Sequence, residues 1–160
     1  MSKFETCINR TLGFEGGYSN RADDPGGETK WGICKRSYPH VDIKNLTRDN
    51  ALIIYKRDFW DVIKLDDAPI SIANQMLDFA VNSGMQTAIR ALQRAVGVAD
   101  DGLVGPHTKR AIAAMQTHDI VMRFLAERLE FMTNCKNWPT ESRGWARRVA
   151  GELRYGAQDV

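Results

Sequence analysis

Phe4, Ile8, Thr11 and Leu12 recur at helical spacing and, at about 100° per residue, fall in one sector of a helix predicted to run into Gly16-Gly17. A glycine pair is a normal place for a helix to stop. Residues 16 to 27 then change to glycine, proline and small polar residues, which read as an irregular loop or a short hairpin. Helical text resumes behind Thr47, a suitable cap for Arg48 to Ile63 with Ala51, Leu52, Ile54, Tyr55, Phe59 and Val62 as its apolar positions. Pro69 opens the next segment, which carries Ile72, Met76, Leu77, Phe79 and Ala80. Ile89, Leu92 and Val96 mark a helix ended by Gly97, and a turn, Ala99-Asp-Asp-Gly-Leu-Val-Gly105, follows it. Pro106 to Met115, Ile120 to Phe131 and Glu141 to Leu153 complete the pattern. Runs of alternating β-branched residues are missing, so the chain is predicted to be mostly α, with any sheet small and confined to residues 16–31.

Composition narrows the class without adding chemistry. The 160 residues are the size of one domain, 43% apolar and 26% charged, which excludes wholesale disorder, a collagen and a coiled-coil rod. Net charge is −1 through Ala80 and +3 after it, too mild to argue for nucleic acid. Cys7, Cys34 and Cys135 are too few and too scattered for a disulfide scaffold or a zinc site, and reduced thiols are the expectation. The first residues mix charged and polar side chains where a secretory signal needs an apolar run of about 7 to 15, and no later stretch reaches the roughly 18 apolar residues of a membrane span. Delivery to any target outside the cytosol then falls to another component.

Glu15 departs most from the pattern. With Phe4 as zero, Ile8 projects near 40°, Leu12 near 80° and Glu15 near 20°, all at about 100° per residue, which places a carboxylate on the apolar stripe. Partial desolvation and the negative end of the helix dipole would both raise its pKa, toward the range of about 6 to 7 useful to a general acid. The competing reading is a solvated acid at a frayed helix end. Asp24 falls in a polar loop that keeps it hydrated and ionised, and two carboxyl groups in such contrasting settings are what glycoside hydrolysis needs. Asp23, Asp24 and Glu28 also suit an ordinary turn. The Thr29 hydroxyl has two candidate uses: positioning a water, or capping Lys30 to Arg36.

The run Glu15-Gly-Gly-Tyr-Ser-Asn20, with Asp24-Pro-Gly-Gly-Glu-Thr29-Lys-Trp-Gly-Ile33, resembles the glycoside hydrolase family 108 muramidases, phage endolysins and bacterial relatives with a lysozyme-like fold. Ala91 to Gly97, then Asp101 to Pro106 and Thr108, resembles the peptidoglycan-binding region that accompanies that family. The resemblance implies one lysozyme-like domain over 1–160, with a catalytic part at 1–83 and a helical peptidoglycan-binding-like part at 84–160. It implies cleavage of the β-1,4 bond between N-acetylmuramic acid and N-acetylglucosamine with Glu15 as the acid, and similarity to the order of acid, aspartate and threonine in phage lysozymes more broadly implies Asp24 as the second carboxylate with Thr29 assisting. It implies no cofactor and no metal. An endolysin of this kind is expected to be a monomer made in the host cytoplasm without a signal peptide, to insert stably in no membrane, and to reach the wall through a separate holin. A lytic transglycosylase and a non-catalytic wall-binding or secretion-accessory module are the alternatives.

Other residues divide between site and scaffold. Tyr18 and Trp31 flank the loop and offer flat faces to sugar rings, with core packing the competing use for Trp31 above all. Asn82, near Gly84, can hydrogen-bond an N-acetyl group or cap its helix. Trp60 reads as core, while Trp138 and Trp145 stay open. Arg143, Arg147, Arg148 and Arg154 give the last helix a basic face that is either solvated or attracted to anionic wall polymers. His40, His107 and His118 lack ligand spacing, and Asp100-Asp101-Gly102 is too short for a calcium loop.

Overall fold

The computed structural model describes residues 1–13, 17–20 and 26–159. Helix α1, Lys3–Leu12, opens with a capping box: Glu5 N donates to Ser2 Oγ at 3.1 Å and Ser2 N donates to Glu5 Oε2 at 2.7 Å. Its inner face is Phe4, Cys7, Ile8 and Thr11. The helix stops at Leu12 because Gly13 turns to φ 56°, so it ends short of the predicted Gly16-Gly17.

Two short strands, β1 (Thr29–Lys30) and β2 (Ile33–Cys34), pair antiparallel with Thr29 opposite Cys34 and Lys30 opposite Ile33. Trp31 and Gly32 form the two-residue turn, at φ 53° and 75°. Two positive φ angles match the natural twist of a tight hairpin. Gly32 has a second constraint, since a Cβ there would lie 2.4 Å from the Tyr55 hydroxyl. Ser19 adds a bridge to Thr29 through a pair of 2.8 Å backbone bonds, so the small sheet starts inside the predicted window and runs slightly past it. Lys30 to Arg36 contains a strand pair and turns, which removes helix capping as a use for Thr29.

Helix α2 (Arg48–Tyr55) starts where Asn50 N donates to Thr47 Oγ1 at 3.2 Å, and it continues through a π-helical turn, Lys56–Trp60, into α3 (Asp61–Ile63). Trp60 is wholly buried, edge-on to Phe4 at 5.4 Å between ring centres, a pairing worth roughly 1 kcal/mol beyond its burial. Helix α4, Ile70–Ser83, is the axis of the molecule: every residue from Ser71 to Ala80 is buried, and α1, α5, α7 and α8 pack around it. A helix enclosed on all sides belongs at the centre of a core. Around it lie α5 (Met85–Ala95), α6 (Pro106–Ala114), α7 (Thr117–Thr133) and α8 (Trp138–Asp159). Phe79 meets Phe124 and Phe131 edge-on at 5.7 and 5.6 Å, fastening α4 to α7. The chain's two ends meet where Arg10 grips the Asp159 carboxylate at 2.5 and 3.1 Å and lies 4.4 Å above the Tyr155 ring. None of the described helices is long and apolar enough to cross a membrane.

Candidate active site

Three elements converge where α1 ends. The hairpin tip comes first: a Cβ built on Gly32 would lie 3.6 Å from Leu12, and Tyr55 donates its hydroxyl to the Trp31 carbonyl at 3.0 Å. Burial pushes the Tyr55 hydroxyl far above its ordinary range, so it stays a donor at any physiological pH. A hollow of about 330 Å³ opens beside this tip, walled by Gly32, Ile33, Tyr38, Tyr55, Phe59 and Val81. The C-terminal half of α4 supplies the second element and α8 the third.

Asp78 on α4 is 1% exposed and is the hub of a buried polar centre. Arg148 of α8 brackets it, with Nε at 3.1 and 3.0 Å from the two carboxylate oxygens and Nη2 at 2.6 Å from Oδ1. The same Nη2 donates to the Thr11 carbonyl of α1 at 2.8 Å. Arg128 of α7, fully buried, sets Nη2 2.7 Å from Asp78 Oδ2, an ion contact off the line of a hydrogen bond, and its guanidinium lies 4.9 Å above the Phe79 ring. Glu152, one turn beyond Arg148, accepts from Asn74 Nδ2 at 2.7 Å. Burial first and the Asp78 charge second push its carboxyl up to about 8, against the pull of Arg128, Arg148 and Arg10. Two acids and two arginines thus hold four helices together, with Asp78, Arg128 and Glu152 buried and Arg148 reaching in from the half-exposed side.

Glu15 and Asp24, together with Asp23, lie outside the described residues. Thr29 is half-buried, with Oγ1 donating to the Gly27 carbonyl at 3.2 Å and its backbone paired to Ser19 and Cys34. Tyr18 is exposed and donates to Glu28 Oε1 at 2.6 Å, a bond that holds its hydroxyl above the ordinary range. Trp31 packs half-buried against the core, and its indole nitrogen has no partner among the described residues. Asn82 donates from Nδ2 to the Asp78 carbonyl at 2.6 Å, which leaves its amide oxygen available. Trp60 is core, as its apolar surroundings implied, and Trp138 and Trp145 stack at 6.1 Å, each half-buried.

The polar centre was overlooked in the sequence, although its signal was present. Asp78 interrupts the apolar run Met76 to Val81, Arg128 sits four residues from both Phe124 and Met132, and Glu152 follows Val149 by three. Each is a charge on an apolar stripe. Arg148 also needs correcting: Arg143, Arg147 and Arg154 form the exposed basic face, whereas Arg148 turns inward. The element that resembles a peptidoglycan-binding region is tied internally. Gln93, 1% exposed, donates to Asp101 Oδ1, the Leu103 carbonyl and Thr108 Oγ1, and accepts from Gly102 N. Another hollow, of about 460 Å³, is apolar and lies between Leu65, Ile72, Leu92 and Ile112, and Thr29 is not among its lining residues.

The family Glycosyl hydrolase 108 matches residues 8–84, the stretch that holds Glu15, the hairpin and α4. Among solved structures the chain is similar to SagA of Brucella abortus, at a TM-score of 0.88 and 29% identity, over 98% of this chain and 94% of that one. No curated protein matches the chain. Fold and family match together support a peptidoglycan-hydrolysing, lysozyme-like function on a mostly helical frame with one small antiparallel ribbon.

Proposed function

We propose that this protein is an N-acetylmuramidase that hydrolyses the β-1,4 bond between N-acetylmuramic acid and N-acetylglucosamine. The family match over residues 8–84, which spans Glu15 and Asp24, carries the reading. Glu15 protonates the bridging oxygen; Asp24 stabilises the developing oxocarbenium charge or activates water; Thr29 assists from the ribbon. Tyr18, Trp31 and Asn82 contact the sugar. In a cell the protein would act as an endolysin, made in the cytoplasm and released to the wall by a holin.

Glu15→Gln keeps the side chain's shape and removes its proton, so turbidity clearance of purified sacculi is expected to fall by about a thousandfold or more while circular dichroism stays unchanged. Retention of more than a tenth of the activity would overturn the assignment of the acid. Mass spectrometry of the fragments is expected to show reducing muramic ends, and anhydro-muramyl ends would make the enzyme a transglycosylase.

A further inference from the structure

We infer that Arg148 is a positioning residue for the acid, a side chain of the last helix that sets where the end of α1 points. The inference rests on the reading of Glu15 as the acid.

The last turn of any helix leaves carbonyls without an intrahelical donor. In α1 the Gly13 amide returns to the Asn9 carbonyl at 3.0 Å, and the φ of 56° at Gly13 then breaks the ladder. The Thr11 carbonyl takes its donor instead from Arg148 Nη2, at 2.8 Å. This is not a loose surface contact. The guanidinium is already fixed on both Asp78 oxygens, and Asp78 is fixed on the enclosed helix α4 with Arg128 behind it. A planar fork held bidentately loses little freedom when it makes one more bond. Thr11, four residues before Glu15 in the sequence, is therefore tied to α4, the helix buried continuously from Ser71 to Ala80.

Charge adds a second effect. A cation at a helix C-terminus offsets the negative end of the dipole, and it favours the ionised form of a nearby carboxyl. Among the described residues, Arg148 bonds Asp78 of α4 and acts on Glu152 of its own helix and on the Tyr55 hydroxyl of α2, while Arg128 of α7 shares Asp78 and Arg10 of α1 acts with them on Glu152. Removing Arg148 leaves Asp78 with Arg128 alone among the described residues and makes the potential at the end of α1 more negative, which raises the pKa of a carboxyl brought close to it.

The test compares wild type, Arg148→Met, Arg148→Lys and Arg148→Gln on sacculi, with kcat, KM and the pH profile of kcat/KM for each, and Glu15→Gln alongside. Arg148→Met is expected to lower kcat by about tenfold or more with KM within about threefold, because a small misplacement of the acid is costly. Its alkaline limb is expected to move up by about one pH unit. Arg148→Lys keeps the charge and one donor, so its limb is expected to stay near that of wild type with kcat partly restored. A merely structural role would lower thermal stability and leave the limb where it was. Should Arg148→Met fail to fold, Arg148→Gln, neutral but still able to donate to Thr11, gives the same limb comparison. Unchanged kcat and an unmoved limb in the neutral variants overturn the inference even if Glu15→Gln is dead. Full activity in Glu15→Gln instead overturns the reading it rests on.

Discussion

Replacing Asp78 by asparagine removes the one charge that Arg128 meets at ion-pair distance among the described residues while hardly changing volume. Arg128 is wholly buried and Asp78 is 1% exposed, so neither end can be rescued by bulk water. Breaking one side of such a pair typically costs about 3–5 kcal/mol, since the surviving charge is left desolvated. In a domain of this size that corresponds to about 6–20 °C in Tm. Glu152 modifies the figure. Its carboxyl is held up near 8 partly by Asp78, so without that charge it ionises at lower pH and supplies a substitute anion to the two arginines. Between the lowered and the original Glu152 pKa, folded wild type holds a proton that folded Asp78→Asn has released, so the deficit of the variant shrinks as pH rises. Urea unfolding followed by circular dichroism at about pH 6 and about pH 9 measures both parts. A loss below about 1 kcal/mol at the lower pH would refute Asp78 as the buried counter-charge. An equal loss at both values would refute its coupling to Glu152.

Glu152→Gln tests the same centre from the other side. Because the folded pKa of Glu152 is raised from 4.5 to about 8, wild-type stability is fully present below the lower value and is lost as pH rises through the upper one, whereas the glutamine variant is expected to lack that slope. A slope equal in both, in urea titrations across that window, would assign it to other groups. Gly32→Ala must keep φ near 75° and place a Cβ 2.4 Å from the Tyr55 hydroxyl, so a loss of about 1–3 kcal/mol is expected, relieved in part by Tyr55→Phe. A neutral Gly32→Ala in thermal melts would show that the hairpin tip can move away from α2.

Much of the frame was legible because it is written in local signals. Thr47 caps α2 as its position before Arg48 implied, the apolar pattern to Ile63 ends where Lys64 turns left-handed, and Pro106 begins α6. The misses have physical causes. Gly13 ends α1 earlier than the glycine pair because its positive φ ends the helix first, and periodicity carries no information about φ. The last helix outruns Glu141 to Leu153 in both directions, since Glu141 N bonds back to the Asn137 carbonyl and Asp159 is anchored by Arg10. The centre around Asp78 was hidden differently. Its other members lie 50 to 74 residues from Asp78 in the chain, and the test applied to Glu15, a charge on an apolar stripe, singles out Asp78, Arg128 and Glu152 equally well. Their pairing with one another is a property of the tertiary fold alone.

Seventy residues separate Asp78 from Arg148. A ribosome adding about 5–20 residues per second needs about 4–14 s to cover them. Throughout that interval the nascent chain carries a helix designed for a dry interior with an acid at its middle and no guanidinium yet translated from α8 to neutralise it. The end of α1 gains this anchor only once α8 has been made, so the bond from Arg148 to the Thr11 carbonyl is absent while the first 147 residues are being added.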